Sequence, residues 1–435
     1  MKKFLAFISL VFIFIPSPSA ARPWVQTLDS VLTTLAEQGM FNGQVLLAEK
    51  GNIVFNNGYG EYENTSISTT SPLPVASISK SMTAFGIMIL KEQGKIDYDD
   101  KITAYLPKIP FPNVTVQQLL NQTSGIPNFL STALDYGDTT RVMNQEEILE
   151  LISRIRPPAG KAGEKFYYNN SNYLLCRSII ENVSGMSYAD FMKHYVWNPL
   201  GMDHTHTDAR VNLPADAPIN ADNFYNPGSG IHSTAGDLFR FAHALKSNTV
   251  ISHKSVEEAF SRPLLNDGTK SNYGFGWYIL ETPDGKSVGH WGRGEGVKTY
   301  LELYLTEEKT LVMLTVHSTS YVDQTYQVIR DIWAGNPYEL PTRIQAYDID
   351  PKLYKEYTGS YLTPNLGLLH VSVENGKLYL RPDPVPGKEE LVPSSDSTFY
   401  FRNQDLEWQF YRDGNGEVIG FGFKGDRKEM GMKQK

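Results

Sequence analysis

The chain is poor in the residues that several common architectures require. Of its 435 residues only Cys176 is a cysteine, which excludes an internal disulfide framework and any cysteine-rich metal site. Cys176 follows the apolar run Tyr173-Leu174-Leu175 and reads as a small buried hydrophobe. Positive charge is also short: 40 Lys and Arg face 48 Asp and Glu, a net charge of −8. With no basic run along the chain, nucleic acid is not an expected partner. Internal repeats and low-complexity tracts are missing. Apolar residues at 41% and charged residues at 20% mark a folded globular chain, not a disordered or fibrous one. A norm of ~150 residues per domain allows two or three domains.

Long apolar runs are missing as well, with one exception. Lys2-Lys3 precedes an almost uninterrupted apolar stretch from Phe4 to Ile15, followed by small residues from Pro16 to Ala21. The pattern predicts a secretory signal over residues 1–21, cleaved after Ala20 or Ala21. It falls short of the ~20 residues needed to cross a bilayer, so no stable membrane span is expected once it is removed. No cysteine follows it, so a lipid anchor is not indicated. Cleavage leaves 38 bases against 48 acids, a charge of −10, on an exported protein that is periplasmic or secreted.

What is present is an α+β pattern. Residues 23–39 carry Val25, Leu28, Val31, Leu32 and Leu35 at helical spacing and end at Gly39. Residues 43–47 and 53–55, separated by Lys50-Gly51-Asn52, predict a hairpin. Residues 77–94 read as a buried helix with Met82, Phe85, Met88 and Ile89 inside and Gly94 closing it. Residues 115–180 look mostly helical. Strands resume at 275–280, 287–290, 299–305 and 310–316, and a last helix covers 321–333. One sheet assembled from both ends of this region, with a helical insertion between, accounts for this order. Beyond Gly335 the pattern changes. Residues 336–347 form a proline-bracketed linker, and 348–435 read as a separate small antiparallel β-barrel. Its clearest feature is the hairpin around Asn375-Gly376, a pair suited to a type I′ turn. Residues 399–402, 408–411 and 418–423 continue the meander.

Three short motifs carry chemistry. In Ser77-Ile78-Ser79-Lys80 the two end residues share a helix face, and a lysine desolvated beside a serine can take its hydroxyl proton. In Tyr168-Asn169-Asn170, a tyrosine near a lysine can shuttle a proton, with the neighbouring charge favouring phenolate, while Asn170 offers donors and an acceptor to an amide. In His290-Trp291-Gly292, strand alternation puts His290 and Gly292 on one face. There His290 supplies a hydrogen-bonding or cationic group, and Gly292 admits a substrate backbone to the strand edge. Each motif alone has a structural alternative: a serine cap with a snorkelling lysine, an Asn-rich turn, a satisfied histidine at a strand end.

Taken together, Ser-x-x-Lys, Tyr-x-Asn and His-x-Gly in this order resemble the penicillin-binding-protein/β-lactamase superfamily. Within it the chain is most similar to the class C β-lactamase-related serine hydrolases, which include D-alanyl-D-alanine carboxypeptidases, D-aminopeptidases and family VIII esterases. Pro74-Val75-Ala76-Ser77, residues 119–127, residues 198–202, residues 233–238 and Gly274-Phe275-Gly276-Trp277 also read as segments of that family. The resemblance covers residues 25–335 of a domain placed at 22–335, and it implies a β-lactamase/transpeptidase-like fold. The final domain resembles lipocalin-like modules, with Tyr357-Thr358-Gly359-Ser360-Tyr361 as its opening strand.

By resemblance, Ser77 is the acylated nucleophile, and Lys80 and Tyr168 share the base and proton-shuttle work. Asn170 positions the substrate, and His290 stands where many relatives carry lysine. The backbone N–H groups of Ser77 and Arg293 form the oxyanion hole. Asn121-Gln122 replaces a common Thr-His pair, and the deacylating-Glu loop of class A β-lactamases has no counterpart. The resemblance implies an acyl-enzyme hydrolase without metal or cofactor, acting on a small-molecule or peptide amide or ester, with D-amino-acid and peptidoglycan-type peptides foremost. Carboxylesterase activity, β-lactamase activity, or a penicillin-binding sensor with little turnover are the alternatives. Oligomeric state is not legible from the chain.

Overall fold

Helix α1 (Pro23–Glu37) begins with a proline in its first turn, where no backbone N–H is needed, and buries Leu28, Val31, Leu32 and Leu35. The chain then enters hairpin β1 (Gly43–Glu49) and β2 (Asn52–Tyr59), as the Lys50-Gly51-Asn52 spacing predicts. Residues 22–129, 145–154, 160–207, 230–247, 249–282, 285–294, 296–316, 321–363, 367–382, 388–401, 407–425, 427 and 430–434 are described by this computed structural model. The expected signal at 1–21 and Arg402, at the end of one expected strand, lie outside them.

Four late strands complete the sheet: β3 (Tyr278–Thr282), β4 (Gly285–Gly294), β5 (Val297–Tyr304) and β6 (Lys309–Val316). The order is β2-β1-β6-β5-β4-β3, all antiparallel, so β1 from the start of the chain pairs with β6 from the end of the domain. Alternation along β1 divides its side chains between two cores. Val45 and Leu47 join α1 and the late helix Val322–Ala334, while Leu46 and Ala48 face the large helical side. The sheet is thus covered on both faces. The strand expected at 275–280 starts later, at Tyr278. Gly276 sits at φ +80°, and a Cβ on Gly274 would lie 2.1 Å from the Ala259 carbonyl oxygen, so this stretch turns tightly against the domain.

Helix α2 (Ser79–Glu92) is buried from Ser79 to Leu90, Lys80 included, and Gly94 closes its end at φ +68°. It packs against α3 (Asn170–Ser184), where Cys176 is fully buried, as the sequence predicts. At Gly86 a Cβ would come within 2.9 Å of Ile180 Cδ1.

The residues after the sheet domain form a closed eight-stranded antiparallel barrel between Gly359 and Lys433, each strand paired with the next and the last with the first. Asn375 at φ +50° and Gly376 at φ +75° make the expected turn between Gly367–Glu374 and Lys377–Pro382. The interior is filled by Tyr361, Phe399, Phe410 and Phe421, with Trp408 stacked on Phe421. The stretch between the domains carries neither helix nor strand, and it is not loose throughout. The Ile344 N–H donates to the Tyr321 hydroxyl at 2.7 Å, and Ile344 packs on the α1 side of the sheet.

Candidate active site

The site forms where the turn before α2, the loop before α3 and the end of β4 meet. A short strand, Leu73–Pro74, pairs with Ile231–Ser233 and leads into a 3-10 turn, Ala76–Ile78, that carries Ser77. Three features hold this turn. The Val75 N–H donates to the Ile231 carbonyl at 3.0 Å, and the buried Thr299 hydroxyl donates to the Val75 carbonyl at 3.0 Å. The third is the absence of a side chain at Gly292, where a Cβ would lie 2.1 Å from Thr299 Oγ1 and 2.7 Å from the Val75 oxygen. Gly292 therefore makes room for the nucleophile's own turn. Ala76 sits at φ +45°, a conformation that costs an alanine ~1–3 kcal/mol and persists because these contacts enforce it.

Ser77 is half-buried and reachable, while Lys80, one turn on, is 6% exposed. Its Nζ lies 3.0 Å from Ser77 Oγ and 5.0 Å from the centre of the Tyr168 ring. Burial pushes the Lys80 amine down to about 7, because the ammonium loses its hydration there. The Tyr168 hydroxyl also interacts with the Ser77 side chain, yet burial holds its pKa well above the ordinary phenol value. This corrects the expectation of a phenolate: desolvation outweighs the neighbouring amine. A neutral amine in this place can accept a proton, and a neutral phenol can donate one.

The loop that presents Tyr168 is braced by residues 121–126, where the sequence departs from Thr-His. Gln122, buried at φ +60°, accepts from the Asn169 N–H at 3.1 Å and from Asn172 Nδ2 at 2.5 Å. Asn169 caps α3 by accepting from the Asn172 N–H and donates from Nδ2 to the Ile126 carbonyl at 3.1 Å. Asn169 is therefore structural. Asn170, half-buried on the first turn of α3, has no side-chain hydrogen bond among the described residues.

His290 reaches the site in an unexpected state. It is 1% exposed, its Nδ1 bonds to the Trp291 carbonyl at 2.8 Å, and its Nε2 lies 3.0 Å from the Tyr273 hydroxyl. A carbonyl only accepts, so Nδ1 carries the proton and Nε2 accepts from Tyr273. Burial, then the charge of Lys80, push the imidazole down to about 3. The expected cationic option is thus closed, and the satisfied histidine is what the fold contains. Trp291 turns to the other sheet face and donates from Nε1 to Glu302 Oε1 at 3.1 Å. Arg293 is exposed, with its charge acting on Asp323. The register of β3 on β4 ends at Tyr278 opposite Gly289, so no strand of the described residues covers the outer edge of β4 from His290 onward.

Sequence reasoning missed Tyr273, Tyr278, Gln122 and Thr299. Tyr278 stacks on Tyr168 with centroids 6.3 Å apart and planes at 16°, and lies 4.6 Å from Trp291. Its place immediately after Gly274-Phe275-Gly276-Trp277 is the only local signal.

A two-faced sheet with a Ser-x-x-Lys turn at its end defines a β-lactamase-like hydrolase. The chain belongs to the Beta-lactamase family, whose pattern matches residues 28–332. Penicillin-binding protein 4* of Bacillus subtilis is 33% identical over 427 residues, spanning 88% of this chain and 93% of that protein. Among solved structures, the octameric penicillin-binding protein homologue from Pyrococcus abyssi has a TM-score of 0.61 at 22% identity, covering 94% of this chain and 100% of that one. The D-amino acid amidase from Ochrobactrum anthropi SV3 has a TM-score of 0.60 at 20% identity, covering 72% and 99%. At such identities the last two show the shared fold. A second match, over residues 345–434, is to a domain of unknown function.

Proposed function

We propose that this chain is an exported serine hydrolase that cleaves an amide or ester through an acyl-enzyme on Ser77, with D-amino-acid peptides or amides as the first substrate class. The observation that carries the reading is the buried Lys80 amine 3.0 Å from Ser77 Oγ, its pKa brought to about 7. A group poised there is half neutral at neutral pH and suited to general-base work. Lys80 takes the Ser77 proton as Oγ bonds to the substrate carbonyl carbon. The backbone N–H groups of Ser77 and Arg293 receive the oxyanion. The tetrahedral centre collapses and the carbonyl–leaving-group bond breaks. The Tyr168 hydroxyl gives the leaving group its proton and is replenished from Lys80. Water then attacks the acyl ester with the same groups reversed, which frees Ser77. Asn170 and the open edge of β4 hold the substrate backbone. The relative named as a penicillin-binding protein, 33% identical over most of the chain, supports the substrate class.

The test combines labelling and turnover. A fluorophosphonate should label Ser77 and no other residue by peptide mass mapping, and a D-amino-acid amide should be hydrolysed over many cycles. Labelling that persists in Ser77→Ala removes the assignment.

A further inference from the structure

We propose that the site prefers substrates whose leaving group is uncharged, an amide or a neutral ester, over the same substrates carrying a carboxylate on the leaving group. The inference rests on the hydrolase reading and names the chemistry of one end of the substrate.

Three observations lead to it. Both ring nitrogens of His290 are occupied, by the Trp291 carbonyl and the Tyr273 hydroxyl, and the ring is buried. To meet a carboxylate it would have to gain a proton and surrender the Tyr273 bond, next to the Lys80 amine. The groups around the ring are the phenols Tyr168, Tyr273 and Tyr278 and that amine, and none of them is an acid that would favour a cation.

The cations on β4 and β5 are engaged elsewhere. Lys286 Nζ donates to the Phe260 carbonyl at 2.8 Å, and Lys298 pairs with Asp323 at 2.5 Å. Arg293 stands one residue out of phase with His290 and Gly292, so it falls on the opposite sheet face, where its charge acts on the same Asp323.

What borders the open edge of β4 is aromatic. The half-buried Tyr278 ring lies between Tyr168 and Trp291, with its centre 5.4 Å from that of His290. A carboxylate pressed against such a surface loses water and gains no countercharge from the described side chains of β4 and β5, whereas a neutral amide or ester loses far less.

The experiment uses the full chain and two matched aryl esters of N-acetyl-D-alanine. One leaves as 3-hydroxybenzoate and the other as the neutral 3-hydroxybenzamide. Cleavage is followed by phenol release at pH 7.5 and at two ionic strengths. The carboxamide ester should have a kcat/KM at least ~10-fold higher, with the ratio little changed by salt because no ion pair is involved. Equal rates, or a carboxylate ester that is faster and slows with salt, would overturn the inference and leave the hydrolase intact. Two inert esters together with unlabelled Ser77 would remove the hydrolase reading and the preference with it.

Discussion

The foot of α2 and the interior of the barrel both bury polar groups, and they do so with opposite consequences. In the barrel, Tyr357 and Tyr361 are buried neutral phenols with local partners. The Tyr361 hydroxyl donates to the Tyr357 carbonyl at 2.6 Å, and the Tyr357 hydroxyl donates to the Asp396 carbonyl. Burial raises the pKa of both phenols, which leaves them in the neutral state they already hold. At the foot of α2 the buried group is an amine that is charged in water, and its hydrogen-bond partner among the described residues is Ser77. There the same desolvation changes a protonation state near neutral pH. On the proposed reading, reactivity comes from burying a group whose charge matters, not from burial as such.

That contrast is broken or sharpened most strongly at Lys80. Its folded pKa lies below the unfolded one, so between about 7 and 10.5 the unfolded chain holds more protons, and stability rises with pH across that window. Below it the fold carries the full cost of a buried ammonium, roughly 5 kcal/mol at ~1.4 kcal/mol per pH unit. Lys80→Met should therefore lose about 10²–10⁴-fold in kcat/KM. The same variant should melt several degrees higher than the parent at pH 6, with a smaller gain at pH 9. A variant that is inactive and no more stable at pH 6 would show that the amine is not a desolvated base.

Tyr168→Phe comes next. Loss of the donor should reduce kcat about 10²-fold while the melting curve stays close to the parent, since the ring and its stacking on Tyr278 remain. The pH profile follows. With Lys80 as base, the rate of Ser77 labelling should fall about tenfold per pH unit below about 7 and level off above it. The amine and Tyr168 converge on one hydroxyl, so the apparent value belongs to the pair. A profile flat from pH 5 to 8 would reassign the base.

The same contrast explains which features could be read from the chain. Helix α1, the first hairpin and the Asn375-Gly376 turn follow from periodicity and turn chemistry, because each is decided by residues close in sequence. Ser77 and Lys80 were legible for the same reason, one helical turn apart. The state of His290 was not, because it depends on Tyr273, which is 17 residues away in the chain. Nor was the role of Gln122, whose partner Asn172 is 50 residues distant. Gly292 was legible as a place that needs a small residue, but only the fold shows that Val75 and Thr299 crowd the space its side chain would take.

The smallest effect on catalysis is expected from the barrel. Its apolar cluster draws on residues 349–421 and is separate from the two that cover the sheet, and Phe410 lies at its centre against Tyr357, Tyr361, Phe399 and Phe421. Phe410→Ala should cost that domain about 3–5 kcal/mol, enough to unfold it, yet leave the rate of Ser77 labelling within about twofold. Truncation sharpens the point, because the boundary matters. A chain ending after Ala346 keeps Ile344 on the α1 side of the sheet and its bond to Tyr321, whereas one ending at Pro341 exposes that apolar patch. The longer truncation should melt and label like the full chain, and the shorter should melt a few degrees lower. If both lose labelling, the barrel is part of the hydrolase fold, and its filled interior is the support of the site and not an independent core.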